Sequence, residues 1–259
     1  MGVINIMANN ISYKIKKMFY TFCGSSSNNI LGDKETINYL LETNKSLIRY
    51  GDGEIMIIRG MGIQYQKFDI ELGQSLKNII ASYNNDSNYL LALPKPALEY
   101  NIIKYVLKGQ VRKTYLVFYT FRYIYKKYLD NNLYMFGNSF VFNKNNELHY
   151  SLLWKNKKNI IFVHNSKKYF YLFKSKYGYN KNCYFVKIPN ENCYSKIGNI
   201  KKEVIEYISL LELTETIVLI SAGPCAKELI IRINNLYAVQ CIDTGHCWDI
   251  PLINRMDDN

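Results

Sequence analysis

The chain has 259 residues, 48% of them hydrophobic, and a formal net charge of +12 from 33 Lys and Arg against 21 Asp and Glu. That content builds a globular core and excludes a disordered or collagen-like chain. Six cysteines without a CxxC pair, beside three histidines, exclude a zinc site of ordinary spacing. No apolar stretch reaches the length of a membrane-spanning helix. The positive balance suits acidic partners, namely nucleotides, nucleic acid, anionic glycans or a membrane surface. The 24 tyrosines belong to a skew towards residues with AT-rich codons, so the charge carries little weight alone.

Residues 1–30 are expected to form an N-terminal helical arm and 31–259 a single α/β domain. Within the arm, 11–22 suit a basic amphipathic helix, packed on the domain or laid on a membrane. Residues 24–30 suit a flexible junction. A short helix is expected over 36–41 and a strand over 46–50, entering a glycine turn. Helices follow from 54 and over 69–83, where Ile70, Leu72, Leu76, Ile79 and Ile80 keep helical spacing. The apolar run 89–93 reads as a buried strand ended by Pro94. Residues 111–130 interleave aromatics with cations. They suit a stacking platform for bases or sugars, or, as preferred here, an amphipathic helix in a Tyr-rich protein. Residues 143–158 read as an exposed connection, and 130–150 as a mobile cover over a ligand.

The second half alternates strands (160–163, 183–188, 216–221, 238–243) with helices (166–177, 195–211, 226–234). Such alternation predicts a Rossmann-like, mostly parallel sheet with helices on both faces. Ligands then bind beyond the C-terminal ends of the strands. Arg49–Glu54, His164-Asn165, Pro189–Asn192, Ser221–Pro224 and Asp243–His246 all fall there.

The first of these segments carries the chemistry. In Arg49-Tyr50-Gly51-Asp52-Gly53-Glu54 two carboxylates stand two residues apart and suit a hard cation such as Mn²⁺ or Mg²⁺. Arg49 suits phosphate oxygens, and Gly51 and Gly53 let the backbone approach a ligand. Taken alone, the hexapeptide reads better as a glycine turn before an acidic helix start. Ser221-Ala222-Gly223-Pro224 precedes a helix whose N–H groups suit a phosphate, or is a plain strand-to-helix turn.

These pieces together resemble the GT-D-type glycosyltransferases. The likeness rests on Arg49–Glu54, Gln64-Tyr65-Gln66 with Asp69, Leu93-Pro94, Gly137–Phe140, Pro189 with Asn192, Ser221–Lys227 and Ile242–His246, and covers about residues 35–250. It implies a Rossmann-like fold, a nucleotide-sugar donor, commonly a UDP-sugar, and Mn²⁺ or Mg²⁺ held through an Asp-x-Glu element. Carried over, Asp52 and Glu54 hold the metal and diphosphate, with His246 as a further catalytic or metal residue. Gln66, Asn192 and Gly223 line the donor pocket. The resemblance breaks at Cys247-Trp248-Asp249, where relatives run through acidic and aromatic residues, and at His164-Asn165, where they carry Gly-Glu.

An inverting enzyme needs a base towards the acceptor, for which Asp69, Asp249 and His246 are the candidates. The expected activity is metal-dependent transfer of a sugar to a glycan or glycoprotein, in a reducing, cytoplasmic setting or at a membrane surface, by a monomer or homodimer. The alternatives are a catalytically silent nucleotide- or glycan-binding relative and a basic RNA-binding protein. No nucleic-acid-binding motif supports the latter.

Overall fold

Short runs rich in Ile, Val and Leu, each closed by a polar or glycine-bearing turn, become the strands of one sheet. The computed structural model describes residues 29–99, 122, 125, 129 and 134–249. Its strands are β1 (Ser46–Arg49), β2 (Tyr89–Leu93), β3 (Gly137–Asn138), β4 (Asn159–His164), β5 (Asn182–Lys187), β6 (Thr216–Ile220) and β7 (Gln240–Asp243). They lie in the order β3-β2-β1-β7-β6-β4-β5, and every pairing between them is parallel. The Rossmann-like α/β expectation holds.

The first and last strands lie side by side in the middle, with Leu47 opposite Ile242. That pairing brings together Arg49 and Asp243, 194 residues apart in the chain. It is the topological reason that two distant motifs meet.

The helices are α1 (Asp33–Thr43), α2 (Asp52–Ile58), α3 (Ile70–Ser82), α4 (Lys95–Glu99), α5 (Glu147–Tyr150), α6 (Leu152–Lys155), α7 (Lys167–Tyr177), α8 (Ile197–Ile208) and α9 (Cys225–Asn234). Alternation along the strands feeds two cores. Ile161, Val163, Val218 and Ile220 face one, covered by α2, α3, α8 and α9. Ile160, Phe162, Ile217 and Leu219 face the other, covered by α1, α5, α6 and α7. On α3, Leu72, Leu76, Ile79 and Ile80 are buried. Each such side chain contributes about 1.5–3 kcal/mol, more than any propensity difference along the helix. The Asp69 carboxylate starts α3 by accepting from Leu72 N at 3.0 Å.

Several expectations change. Residues 143–158 are not an exposed connection. They fold into a 3₁₀ turn, α5 and α6, because Tyr150, Leu153 and Trp154 are buried, at helical spacing that the surrounding Lys and Asn obscure. From residue 134 onward the expected mobile cover is woven into the domain: Phe136, Gly137, Asn138 and Ser139 are buried, and β3 pairs with β2. β3 has two residues, too short for any periodicity. A Cβ on Gly137 would come within 2.9 Å of Leu90 Cδ2. Asn29 and Ile30, assigned to the arm, join the domain, since Ile30 is buried and bridges Phe136. The rest of the arm, 1–28, and most of the 111–130 stretch lie outside the described residues. Three described members of that stretch, Arg122, Tyr125 and Leu129, are buried. No described helix is long and apolar enough to cross a membrane.

Candidate active site

The C-terminal strand ends open onto one cavity of about 570 Å³. All five segments singled out in the sequence reach it, together with Tyr65, Phe142 and Tyr169.

The β1–α2 turn is shaped by its own second carboxylate. Gly51 is the N-cap, and Glu54 Oε2 reaches back to accept from Gly51 N at 2.8 Å. Glu54 Oε1 faces inward and meets Lys227 Nζ at 2.7 Å. Both oxygens of this buried side chain are therefore engaged. Asp52 is exposed, and among the described residues its Oδ1 accepts from the adjacent Gly53 N at 2.9 Å. A carboxylate has about four acceptor positions, so Asp52 keeps capacity for a ligand.

Lys227 lies on the core-facing side of α9 and is almost fully buried. Besides Glu54 it contacts Asp243 Oδ2 at 2.9 Å and Gly223 O at 3.1 Å. Burial lowers the affinity of its nitrogen for a proton, but the Asp243 and Glu54 carboxylates outweigh that, and its pKa lies above the usual lysine value. Asp243 is fully buried, and its Oδ2 also accepts from Arg49 N at 3.2 Å. Arg49 Nε donates to Asp243 O at 2.7 Å and Nη1 to Ser139 O at 2.8 Å, while its guanidinium lies 5.0 Å from the Phe142 ring centroid. Arg49 thus ties β1 to the ends of β7 and β3, its Nη2 lies 3.9 Å from Asp243 Oδ1, and the residue lines the cavity.

Two glycines at positive φ make room for these side chains. A Cβ on Gly245 (φ +52) would sit 2.1 Å from Arg49 Nη2, and one on Gly223 (φ +55) 2.6 Å from Tyr65 Cε2. The Tyr65 ring meets His246 edge-on, with centroids 6.1 Å apart. Burial, and then the Glu54 carboxylate, push the Tyr65 phenol up from its ordinary value.

His246 is exposed at the cavity edge. His164 also lines the cavity, stacked on Tyr169 with centroids 4.7 Å apart, and its Nδ1 accepts from Ser166 N at 2.9 Å. Gln66 lines the cavity, but its amide joins two loops, accepting from Tyr194 N at 3.2 Å and donating to Lys67 O at 3.0 Å. Asn192, expected in the pocket, stands outside its lining. It adopts φ +52, and its Oδ1 accepts from Lys67 N at 2.9 Å. Asp69, a candidate base, also lies outside the lining and caps α3. The Asp249 side chain lies outside the described residues. No three His, Cys, Asp or Glu side chains group to hold a metal among the described residues, so Asp52, Glu54 and His246 are not assembled as one ligand set.

Lys227 and Asp243 belong to the motifs that carry the resemblance but had no individual role in the sequence, and Trp248 stood only where the resemblance breaks. A lysine on the apolar stripe of α9 and an aspartate closing an apolar strand were the available signals. Trp248, on the 3₁₀ turn Cys247–Asp249, is buried and donates from Nε1 to Ser221 Oγ at 3.0 Å. Ser221 Oγ lies 2.8 Å from Thr244 Oγ1, so this turn clasps the ends of β6 and β7.

The sequence matches the glycosyltransferase GT-D fold family over residues 47–249. The chain belongs to that family. A glycosyltransferase from Streptococcus sanguinis, carrying the domain of unknown function 1792, superposes with a TM-score of 0.69 at 23% identity, covering 88% of this chain and 85% of the other. A second structure, described as the domain of unknown function 1792 with a distinct glycosyltransferase fold, gives 0.71 at 20% identity, covering 93% and 84%. At these identities the likeness establishes the fold. Short segments also match the "Probable glycosyl transferase Gly" of Streptococcus gordonii, 40% identical over 57 residues, and glycosyltransferase GlyD of Streptococcus pneumoniae serotype 4, 38% over 65 residues. Those segments are 22% and 25% of this chain and 8% of each relative.

Proposed function

We propose that the protein is a metal-dependent glycosyltransferase that moves a sugar from a nucleotide-sugar donor, a UDP-sugar, to a glycan or glycoprotein. The observation that carries this reading is the juxtaposition of the exposed Asp52 carboxylate and the anchored Arg49 guanidinium in one strand-end cavity.

The exposed, largely unengaged Asp52 carboxylate fits a hard divalent cation such as Mg²⁺ or Mn²⁺. Asp52 is the residue that would hold it. When bound, such an ion supplies Lewis-acid stabilisation to a leaving diphosphate. Arg49 adds fixed N–H donors beside the phosphates, and its anchoring to Asp243 O and Ser139 O means that little reorientation accompanies the reaction. Gly51 and Gly53 let the backbone approach the donor. His246, exposed at the mouth, takes the proton of the acceptor hydroxyl. The stacked Tyr169 and His164 rings form an aromatic wall against which a sugar face packs.

A thermal-shift panel of UDP-, GDP-, dTDP- and CMP-sugars, each with Mn²⁺ or EDTA, tests the binding half. A UDP-sugar with Mn²⁺ is expected to raise the melting temperature by about 5 °C at a hundredfold excess over its dissociation constant. EDTA should remove most of that rise. A flat response to every nucleotide sugar contradicts the reading.

A further inference from the structure

We infer that Lys227, rather than a metal ion, is the cation that the second carboxylate of the Asp52-Gly53-Glu54 turn serves. Lys227 is then a positioning residue that locks the cavity floor, and Asp52 alone faces a metal-bound donor. The inference rests on the metal dependence proposed above.

Lys227 Nζ lies 2.7 Å from Glu54 Oε1, 2.9 Å from Asp243 Oδ2 and 3.1 Å from Gly223 O. Its three donors thus join the β1–α2 turn, the end of β7 and the β6–α9 turn. Glu54 Oε2 is committed to Gly51 N. Turning Glu54 towards a divalent cation would release that N–H, and would leave a buried ammonium beside a second positive charge. Lys227 and Glu54 lie at the cavity floor with side chains only 5% and 8% exposed, so their charges are spent chiefly on each other and on Asp243. Arg49 and Lys227 also balance Glu54 and Asp243, so this inner cluster is neutral. The uncompensated charge of the turn is that of exposed Asp52.

Two readouts test this. Mn²⁺ binding in the presence of UDP is followed by electron paramagnetic resonance for the wild type, Asp52→Asn and Glu54→Gln. Asp52→Asn should weaken binding by at least about tenfold and Glu54→Gln by less than about threefold. In parallel, a melting cycle compares Lys227→Met, Glu54→Gln and the double variant. Lys227→Met should lower the melting temperature by about 10 °C, because two carboxylates lose their buried partner. The double variant should lose clearly less than the sum of the singles, and Lys227→Arg should retain part of the stability. Equal loss of Mn²⁺ affinity in folded Asp52→Asn and Glu54→Gln overturns the inference, as does strict additivity in the melting cycle. A wild type that binds no Mn²⁺ defeats the metal dependence itself, and the melting cycle alone then decides the role of Lys227.

Discussion

Asp52→Asn is expected to lower sugar-transfer turnover by about 10²–10³-fold while leaving the melting temperature unchanged. The side chain is exposed, and among the described residues it accepts a hydrogen bond from the neighbouring Gly53 N. An amide oxygen at the same place still accepts that hydrogen bond. What the substitution removes is the negative charge that would anchor a cation beside the donor's phosphates. Steady-state nucleotide release with Mn²⁺ present, beside a thermal melt of the same preparation, separates the two effects. A variant that keeps wild-type turnover would remove Asp52 from the chemistry. A variant that melts early would make its loss of rate uninterpretable as catalysis.

The second large effect is on stability. Trp248→Ala should cost about 3–5 kcal/mol and lower the melting temperature by about 10 °C. The indole packs against Trp154, Phe162 and Phe173, with centroids 5.6, 5.2 and 5.1 Å away. Such ring pairs add to the area term. The lost Nε1 donor would also release Ser221 Oγ, and with it the clasp onto Thr244 at the cavity edge. Trp248→Phe should recover most of the packing but not the hydrogen bond. Differential scanning calorimetry of both variants decides the matter, and a shift within about 2 °C for the alanine variant would show that the site collapses around the gap.

The parts of the fold that could be read in the sequence are those in which one physical signal dominates. β2, β4 and β6 are apolar runs with fully or almost fully buried faces, and they announce a covered parallel sheet. The five ligand-bearing segments follow from that sheet, because strand polarity places all their turns on one edge. Two-residue β3 has no period to read, and α5 and α6 hide three core residues among Lys and Asn. The inner wiring of the site was less legible for a different reason. Asp52 and Glu54 look alike in sequence, and only the fold turns one outward and the other onto Lys227, 173 positions later. Asn192 and Asp69 likewise carry polar groups suited to a ligand, yet their oxygens serve Lys67 N and Leu72 N. Local turn chemistry accounts for such residues as readily as function does, and side-chain type alone does not separate the two.

Metal-dependent sugar transfer is tested by release of free nucleoside diphosphate from a UDP-sugar by the wild-type protein, with Mn²⁺ and then with EDTA. Slow release is expected without acceptor, faster release when a glycan acceptor is supplied, and loss of both in EDTA with recovery on restoring Mn²⁺. Release that is indifferent to EDTA, or no release from any nucleotide sugar with any glycan acceptor, would contradict it.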